Sequence, residues 1–313
     1  MMPLFGKERV MDRLNIVVLG SAAGGGVPQW NCRCPVCSLY WAGDSRVEAR
    51  TQSSIAVSAD GENWLLVNAS PDMRQQILAN PFLHPSTGSR HSPIKSVLLT
   101  NADVDHLAGL LVLRERQSLT VLATAQTHAI LTANPVFNVL AADCVERRPF
   151  VMNERVDAGF GVVVRPFAVP GKVALFMEAG DEVRIGDVTE TTIGLEIAAH
   201  GKRLVYIPGC ATINEGVRDA VKDADLLLYD GTTFTDDEMP ALGLSPKTAR
   251  RMGHTPISGE GGSLHAFDGL GIRQKAYIHI NNTNPILVEG SPERSIVQEA
   301  GWQITRDGMM LSL

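Results

Sequence analysis

The stretch "VLLTNADVDHLAGL" runs from Val97 to Leu110 and joins an apolar strand to a polar turn and then to an apolar helix start. Asp103, Asp105 and His106 lie together in the turn, so their side chains can converge on one point. Alternatively, the two aspartates cap the following helix and complement its dipole. Capping explains one aspartate better than it explains three ligand-type residues packed together. The stretch therefore predicts a metal site at the end of a strand.

Two further stretches, "SSIAVSADGENWLLVNASPD" and "TTIGLEIAAHGKRLVYIPGCAT", each predict a hairpin, the first across Asp60-Gly61 and the second across His200-Gly201-Lys202. Other strands are expected over "LNIVVLG" (14–20), "IKSVLLT" (94–100), "LTVLAT" (119–124), "ADLLLYDGTTF" (224–234) and "KAYIHINNTN" (275–284), and a helix over "DHLAGLLVLRER" (105–116). The matching hairpins indicate a duplicated α/β architecture, an αβ/βα sandwich whose polar loops converge on one edge.

Composition limits the partners of this chain. Apolar residues make up 44% and charged residues 20%, and the formal net charge is -6. Since no basic stripe interleaved with aromatics is present, nucleic acid is not an expected partner. No apolar run is long enough to enter and span a bilayer, and the N-terminus lacks the apolar core of a signal peptide. An odd number of cysteines argues against a secreted disulfide framework, so we expect a cytoplasmic location.

The motif "CRCPVC" brings Cys32, Cys34 and Cys37 close enough to bind one tetrahedral zinc ion. A redox pair or small buried thiols are the alternatives. A redox Cys-x-x-Cys normally opens a helix, whereas Pro35 and the preceding glycine-rich loop indicate a stiff knuckle. We therefore expect a closed structural zinc site near residues 32–37, inserted in a single domain over 14–313 that follows a loose extension over 1–13. The candidates for its fourth ligand elsewhere in the chain are Cys144, Cys210 and the histidines.

Two more features stay open on the residues alone. The glycine run in "LGSAAGGGVPQW" lacks the Lys-Ser/Thr of a phosphate loop, so we expect its backbone to pass close to another segment, such as a pocket wall. His279 ends the strand "KAYIHI" and points to the same edge as the opening turn if the architecture is duplicated. His254, in "RMGHTPISGEGG", precedes an expected helix. A lone histidine at a strand end is more often a hydrogen-bonded residue than a ligand.

Together these segments resemble the metallo-β-lactamase superfamily, whose strand-turn signature is T-H-x-H-x-D-H. Thr100, Asp105 and His106 match this signature, while Asn101 and Asp103 replace its first two histidines. "ADLLLYDGTTF" and "GHTPIS" are similar to second-half segments of the superfamily. The resemblance implies a metallo-β-lactamase-like αβ/βα sandwich with two mixed sheets covered by helices on their outer faces.

The same resemblance shows which ligands are missing. The superfamily's third histidine is expected near "FAVPGKVALF", which has none, and its bridging aspartate near "YIPGCAT", where Cys210 stands. Asn68 stands in place of the aspartate before the first site loop. In relatives with the knuckle, the fourth zinc ligand is a histidine at the position that Asn282 occupies here. A two-zinc hydrolase would lack most of its first-metal ligands.

The resemblance also implies which ligands remain. "IHINNTNP" supplies the final metal histidine, so Asp105, His106 and His279 form a two-histidine, one-carboxylate set, with Asp103 as a candidate fourth ligand or base. Such a set is typical of non-haem iron oxygenases and suits Fe(II), or Mn(II) or another divalent ion, better than tetrahedral zinc.

Within the superfamily, the knuckle together with "TNADVDH" is similar to a family tied to the biosynthesis of pyrroloquinoline quinone (PQQ). This similarity implies an iron-dependent oxygenase that hydroxylates the tyrosine of a peptide-derived Glu-Tyr precursor. Lys172 and Arg74 are candidates for binding the carboxylates of that substrate. One alternative is a carrier that transports PQQ or its precursor towards the periplasm, and another is a phosphodiesterase-type hydrolase. The resemblance further implies a homodimer, with the knuckle supporting the interface, and contacts with other PQQ-pathway proteins.

Overall fold

The computed structural model describes residues 13–178 and 185–313, so the expected extension over 1–13 lies outside the described residues except for Arg13. One sheet contains β1 (Asn15–Gly20), β2 (Ser54–Ser58), β3 (Trp64–Val67), β4 (Ile94–Leu98), β5 (Leu119–Ala123), β6 (Val145–Pro149) and β14 (Met310–Ser312). The other contains β7 (Val156–Gly159), β8 (Val162–Gly171), β9 (Asp187–Ala199), β10 (Lys202–Ile207), β11 (Leu226–Asp230), β12 (Lys275–Ile278) and β13 (Trp302–Ile304).

The helices of the described residues are short. They are α1 (Pro35–Trp41), α2 (Met73–Ala79), α3 (Val104–Leu107), α4 (Ala125–Ala133), α5 (Glu215–Val221), α6 (Glu238–Ala241), α7 (Ala249–Met252) and α8 (Pro292–Glu299). A bilayer requires about 20 apolar helical residues, and none of the helices in residues 13–178 and 185–313 has the length and apolar character to cross one.

The two sheets repeat one arrangement. In the first, the antiparallel hairpin β2–β3 is followed by the parallel strands β4, β5 and β6. In the second, the hairpin β9–β10 is followed by the parallel strands β11, β12 and β13. His200 and Gly201 both have positive φ, as a type I′ hairpin turn requires. The topology agrees with the duplicated architecture expected from the hairpins.

Side-chain alternation along the strands divides the core into three layers. In β1, Ile16 and Val18 pack into the apolar layer between the sheets, while Val17 and Leu19 pack under the outer helices. A third layer lies beneath the helices on the far side of the second sheet. Full burial of each such side chain contributes about 1.5–3 kcal/mol. These layers confirm the αβ/βα sandwich with two mixed sheets covered on their outer faces.

Three local expectations are wrong. The helix predicted over 105–116 consists of α3 and then a 3-10 segment over 108–113, because the Gly109 N–H and the His106 carbonyl both bond to the backbone of Ala69. His254 does not precede a helix: among the described residues, none is helical between His254 and β12. His254 instead comes two residues after the end of α7. The sequence Cys34-Pro35 does open a helix, α1, since proline is well suited to a first helical position.

Candidate metal centre

The turn after β4 and the end of β12 bring Asp105, His106 and His279 together across the two sheets. Asp105 Oδ2 lies 3.2 Å from His279 Nε2 and 3.7 Å from His106 Nε2. The ligand atoms of the three residues all lie within 4.8 Å of one another. Both histidines are buried, whereas the Asp105 side chain is 17% exposed, so the cluster opens to solvent on the Asp105 side.

Asn101 fixes the orientation of His106. Its side-chain Oδ1 lies 2.8 Å from His106 Nδ1 and also accepts a hydrogen bond from the Asp103 N–H. An acceptor at that distance places the ring proton on Nδ1 and leaves the lone pair of Nε2 facing the cluster. His106 Nε2 is buried and has no hydrogen-bond partner in the part of the chain that the structure describes. Burial also lowers the pKa of His106, which favours the neutral form that ligates metals.

His279 is held in the same way by Thr232. His279 Nδ1 lies 3.0 Å from Thr232 Oγ1, and the Thr232 hydroxyl donates to Asp230 Oδ1 at 2.7 Å. This leaves His279 Nε2 to face Asp105. Burial lowers the pKa of His279, but the hydrogen bond and charge of Asp105 outweigh burial and raise it. The two buried imidazoles and the Asp105 carboxylate, together with the unsatisfied His106 Nε2, fit a divalent metal ion.

A second pair, Asp230 and His254, lies beside this cluster. His254 Nδ1 is 2.8 Å from Asp230 Oδ2, and the His254 ring stacks on that of His279 at 5.2 Å. Asp230 is fully buried and also accepts hydrogen bonds from the Thr232 and Cys210 N–H groups. Because its oxygens are satisfied by these donors, Asp230 is suited to anchor His254. His254 therefore presents its other ring nitrogen as a fixed proton donor or acceptor.

Asp103 lies next to the cluster without joining it. Its Oδ1 accepts a hydrogen bond from the Leu175 N–H at 3.2 Å. Leu175 belongs to residues 172–178, which we call the strap. The ligand role of Asp103 stays a prediction.

The two candidate cations for substrate binding lie in different surroundings. Lys172, on the strap, packs its aliphatic stem on Gly253, since a Cβ at Gly253 would lie 3.1 Å from Lys172 Cγ. Arg74 is exposed on α2. Lys172 therefore contacts the residue that directly precedes His254 in the chain.

Two glycines form the wall of the site. A Cβ at Gly24 would lie 3.5 Å from the Asp105 carboxylate, and one at Gly209 would lie 3.6 Å from His254 Cε1. The glycine-rich loop after β1 also pairs its backbone with Ile280, next to His279. This close approach of the loop to the site agrees with the expected pocket wall.

The cysteine knuckle forms a separate, closed cluster. Cys32, Cys34 and Cys37 are buried, with their Sγ atoms within 4.8 Å of one another. The side-chain amide of Asn282 faces all three, its Nδ2 lying 3.2, 3.6 and 3.3 Å from the sulfurs of Cys32, Cys34 and Cys37. Three thiols around one point fit tetrahedral zinc.

The other candidate ligands lie elsewhere. Cys210 donates its thiol hydrogen to the Thr212 carbonyl, and burial raises the pKa of Cys210 to about 12, so it stays an inert thiol. Cys144 is half-buried under the first sheet. Among the described residues, neither cysteine joins the knuckle cluster.

Sequence reasoning missed Asp230 and Thr232. Asp230 is the last residue of the buried strand β11, just as the site turn directly follows the buried strand β4. A polar residue at the end of an apolar strand is the signal that could have identified Asp230. Asn68 takes part indirectly: its Oδ1 accepts hydrogen bonds from the N–H and hydroxyl of Thr100 and so holds the strand end before the site turn.

Comparisons with known proteins agree with this geometry. The family model described as "Beta-lactamase superfamily domain" matches residues 63–280. Coenzyme PQQ synthesis protein B of Methylorubrum populi is 56% identical over 300 residues, which cover 96% of this chain and 100% of that protein. The crystal structure of zinc-bound PqqB from Methylobacterium extorquens superposes with a TM-score of 0.94, at 55% identity, and covers 96% of this chain and 100% of that one. A diphosphatase of the PhnP family, 22% identical with a TM-score of 0.67 over 96% of this chain and 97% of its own, shares the fold.

Proposed function

The chain belongs to the coenzyme PQQ synthesis protein B family of the metallo-β-lactamase superfamily, and we propose that it is an iron-dependent oxygenase that hydroxylates the tyrosine ring of a Glu-Tyr precursor of PQQ. The observation that carries this proposal is the cluster of Asp105, His106 and His279. It offers two buried imidazoles and one carboxylate, and it opens to solvent on one side. Such a set leaves positions for substrate or oxygen, as non-haem iron oxygenases require.

Bound at this cluster, Fe(II) would supply O₂ activation, by which one oxygen atom would enter a ring C–H bond and the other would leave as water, with two electrons from an external reductant and two protons from solvent. Asn101 and Thr232 hold the two histidines in the ligating tautomer. His254, fixed by Asp230, can hold or move a proton at the phenol of the substrate. Gly24 and Gly209 place backbone without a side chain directly beside Asp105 and His254.

The proposal includes zinc at Cys32, Cys34 and Cys37, closed by Asn282. A half-turn of the Asn282 amide exchanges Nδ2 for Oδ1, which would then face the three thiolates as the fourth ligand. The test is cobalt(II) substitution: the visible spectrum of Asn282→Ala is expected to lose the tetrahedral pattern of the parent, and Asn282→His to keep a tetrahedral pattern with shifted bands. A spectrum of Asn282→Ala identical to that of the parent would exclude Asn282 as a ligand.

Homodimer formation near the knuckle stays part of the proposal. Trp30 and Trp41 flank the cysteines and are 84% and 49% exposed. Large exposed aromatic side chains are typical of an interface.

The decisive experiment for the oxygenase is anaerobic reconstitution with Fe(II), followed by O₂ uptake and product mass with a Glu-Tyr peptide and a reductant. We expect a gain of one oxygen atom and no gain with His106→Ala. His265→Ala is the matched control, because His265 is exposed and its ring contacts Asp268 instead of the cluster. If the wild type shows no turnover and His106→Ala still supports PQQ formation in cells, the proposal fails, and PQQ binding by metal-free protein would favour the carrier.

A further inference from the structure

The strap carries one end of an ion cluster that the metal centre does not use. Lys172 Nζ donates to Glu178 Oε1 at 3.0 Å. Lys247 Nζ and Arg251 Nη2, from the segment before His254, each lie 3.7 Å from Glu178 Oε2. Three cations thus face one carboxylate, in a chain whose net charge is -6.

Only one of these three contacts is a full hydrogen bond. The 3.7 Å distances of Lys247 and Arg251 are too long for hydrogen bonding to Glu178. Arg251 Nη1 is buried and has no hydrogen-bond partner among the described residues. Buried guanidinium N–H groups are normally satisfied by an acceptor. The cluster therefore has unused donors that a second carboxylate would satisfy.

Two contacts of the strap connect the ion cluster to residues next to the metal centre. The Lys172 stem packs on Gly253, which precedes His254. Leu175, three residues along the strap, donates its N–H to Asp103 in the site turn. Three residues span at most about 11 Å. The strap thus runs from the cation cluster to the site turn within the length of a small substrate.

Substrate dimensions fit this spacing. The backbone of an extended dipeptide covers about 7 Å before its side chains are counted. A dipeptide whose aromatic ring lies beside His254 and Asp105 can therefore place a carboxylate at the cations. Leu175 and Phe176 on the strap are 61% and 52% exposed and offer apolar surface between the two points.

We propose that Lys172, Lys247 and Arg251 form a carboxylate-binding subsite of the metal centre, and that Glu178 occupies it when no substrate carboxylate is bound. The inference rests on the proposed function for the identity of the substrate, a carboxylate-bearing aromatic dipeptide. Glu178 acts as an internal competitor: the substrate carboxylate displaces it from Lys247 and Arg251, while Lys172 can bridge the two. A guanidinium is well suited to this role because it binds a carboxylate with two parallel hydrogen bonds.

The test measures equilibrium binding by calorimetry, with zinc-loaded protein so that no turnover occurs. The ligands are Glu-Tyr, its neutral analogue Gln-Tyr amide, and citrate, which has carboxylates but no ring. We expect Arg251→Met to weaken binding of Glu-Tyr about tenfold and to leave binding of the neutral analogue unchanged. Glu178→Gln is expected to tighten binding of Glu-Tyr several-fold, because it removes the competitor.

Arg250→Met is the matched control. Arg250 is the neighbour of Arg251 on α7, but its guanidinium donates to the Glu260 carbonyl instead. Its substitution removes the same charge from the same helix and is expected to leave all three affinities unchanged. Thermal unfolding of each variant checks that the fold is retained, and in the iron-loaded enzyme Arg251→Met should raise KM more than it lowers kcat.

The outcomes separate the subsite from the proposed function. If citrate binds in an Arg251-dependent way and Glu-Tyr does not bind, the subsite stands and the Glu-Tyr oxygenase is wrong. If Glu-Tyr is hydroxylated but its affinity and KM are unchanged in both Arg251→Met and Glu178→Gln, the subsite is wrong and the oxygenase stands. Equal weakening of the charged and neutral dipeptides, or weaker binding by Glu178→Gln, would also overturn the subsite.

Discussion

The cysteine knuckle and the Asp105 cluster both have side chains that could hold a metal ion, but they differ in closure. The knuckle presents three buried thiols and, in Asn282, a fourth polar group that is also buried. The Asp105 cluster presents three ligands and an exposed carboxylate edge. A closed tetrahedral site stabilises structure, whereas an open site leaves room for a reacting molecule. Under the proposed function, the knuckle is a stabilising metal site and the Asp105 cluster a catalytic one, and the loop over 279–282 contributes to both.

The loop over 279–282 connects the two clusters. His279 and Asn282 are three residues apart, and Ile280 between them bonds by its backbone to Ser21 and Ala23. Loss of the knuckle metal should therefore disturb His279, while loss of the open-site metal should leave the knuckle intact. This asymmetry can be tested by removing one ligand at a time.

The largest effect is expected for Cys37→Ser. Structural zinc contributes about 10 kcal/mol to folding in small zinc sites, and Cys37 is fully buried in the cluster. The variant is expected to lose its zinc, to unfold at a much lower temperature, and to lose activity as a consequence. Zinc analysis and thermal unfolding measure this, with Cys144→Ser as the control. A Cys37→Ser protein that unfolds at the wild-type temperature would refute a structural role for the knuckle.

The next largest effect is expected for His106→Ala, which changes the open cluster. It removes one of three ligands from the open cluster, so we expect loss of iron and at least about a thousandfold loss of hydroxylation. Knuckle zinc should remain at wild-type content. Metal analysis after anaerobic purification measures both ions in one sample. Loss of both metals in this variant would show that the two sites fold as one unit.

Local signals predicted the framework of the sheets correctly. Asp60-Gly61 and His200-Gly201 are turn residues that need no distant partner, and the apolar runs around them form β2, β3, β9 and β10 as expected. The end of α3 was not predictable in this way. It depends on Gly109, whose missing side chain allows contact with the backbone of Ala69 and Ser70. Such a contact forms only after the chain has folded.

The candidate ligands named from the sequence do lie together in the fold, but their supporting contacts could not be predicted from it. Asn101 was identified as a lost ligand, and its new role as an acceptor for His106 Nδ1 depends on side-chain geometry. The contact of Asn282 with Cys32 joins residues 250 positions apart in the chain. The pairing of Glu178 with Lys247 and Arg251 also depends on tertiary packing.

Glu238 anchors the loop that joins the two clusters, and its substitution should have an intermediate effect. Its carboxylate accepts hydrogen bonds from the Thr283 hydroxyl and the Phe234 N–H. Burial raises the pKa of Glu238 from 4.5 to about 7. Between these two values the folded protein keeps a proton that the unfolded chain has released. The free energy of unfolding should therefore fall as pH rises through this window, by about 3 kcal/mol at most, and level off above it.

Glu238→Gln tests this directly, because a glutamine amide stays neutral and can still bond to Thr283 and Phe234. We expect the variant to lose the fall in stability between the two pKa values, as measured by urea unfolding at a series of pH values. Glu260→Gln, on an exposed turn, is the control and should keep it. If Glu238→Gln keeps the full slope, the slope arises elsewhere and Glu238 is ionised in the folded protein.

The smallest effect is expected at Asn101, which supports the open cluster without belonging to it. Asn101→Ala removes the acceptor at His106 Nδ1, so the ring can rotate or change tautomer, and we expect a 10–100-fold loss of metal affinity, the usual cost of losing such a support (roughly 1.4–2.8 kcal/mol). Asn101→Asp keeps an acceptor at the same position and should retain or increase affinity, since a carboxylate makes the imidazole more basic. Cobalt(II) titration of the open site measures both variants, while knuckle zinc should be unchanged in each. A merely structural role would make the two variants equally weak, because neither retains the asparagine amide; recovery by aspartate alone would show that the acceptor for His106 is what the open site needs from this position.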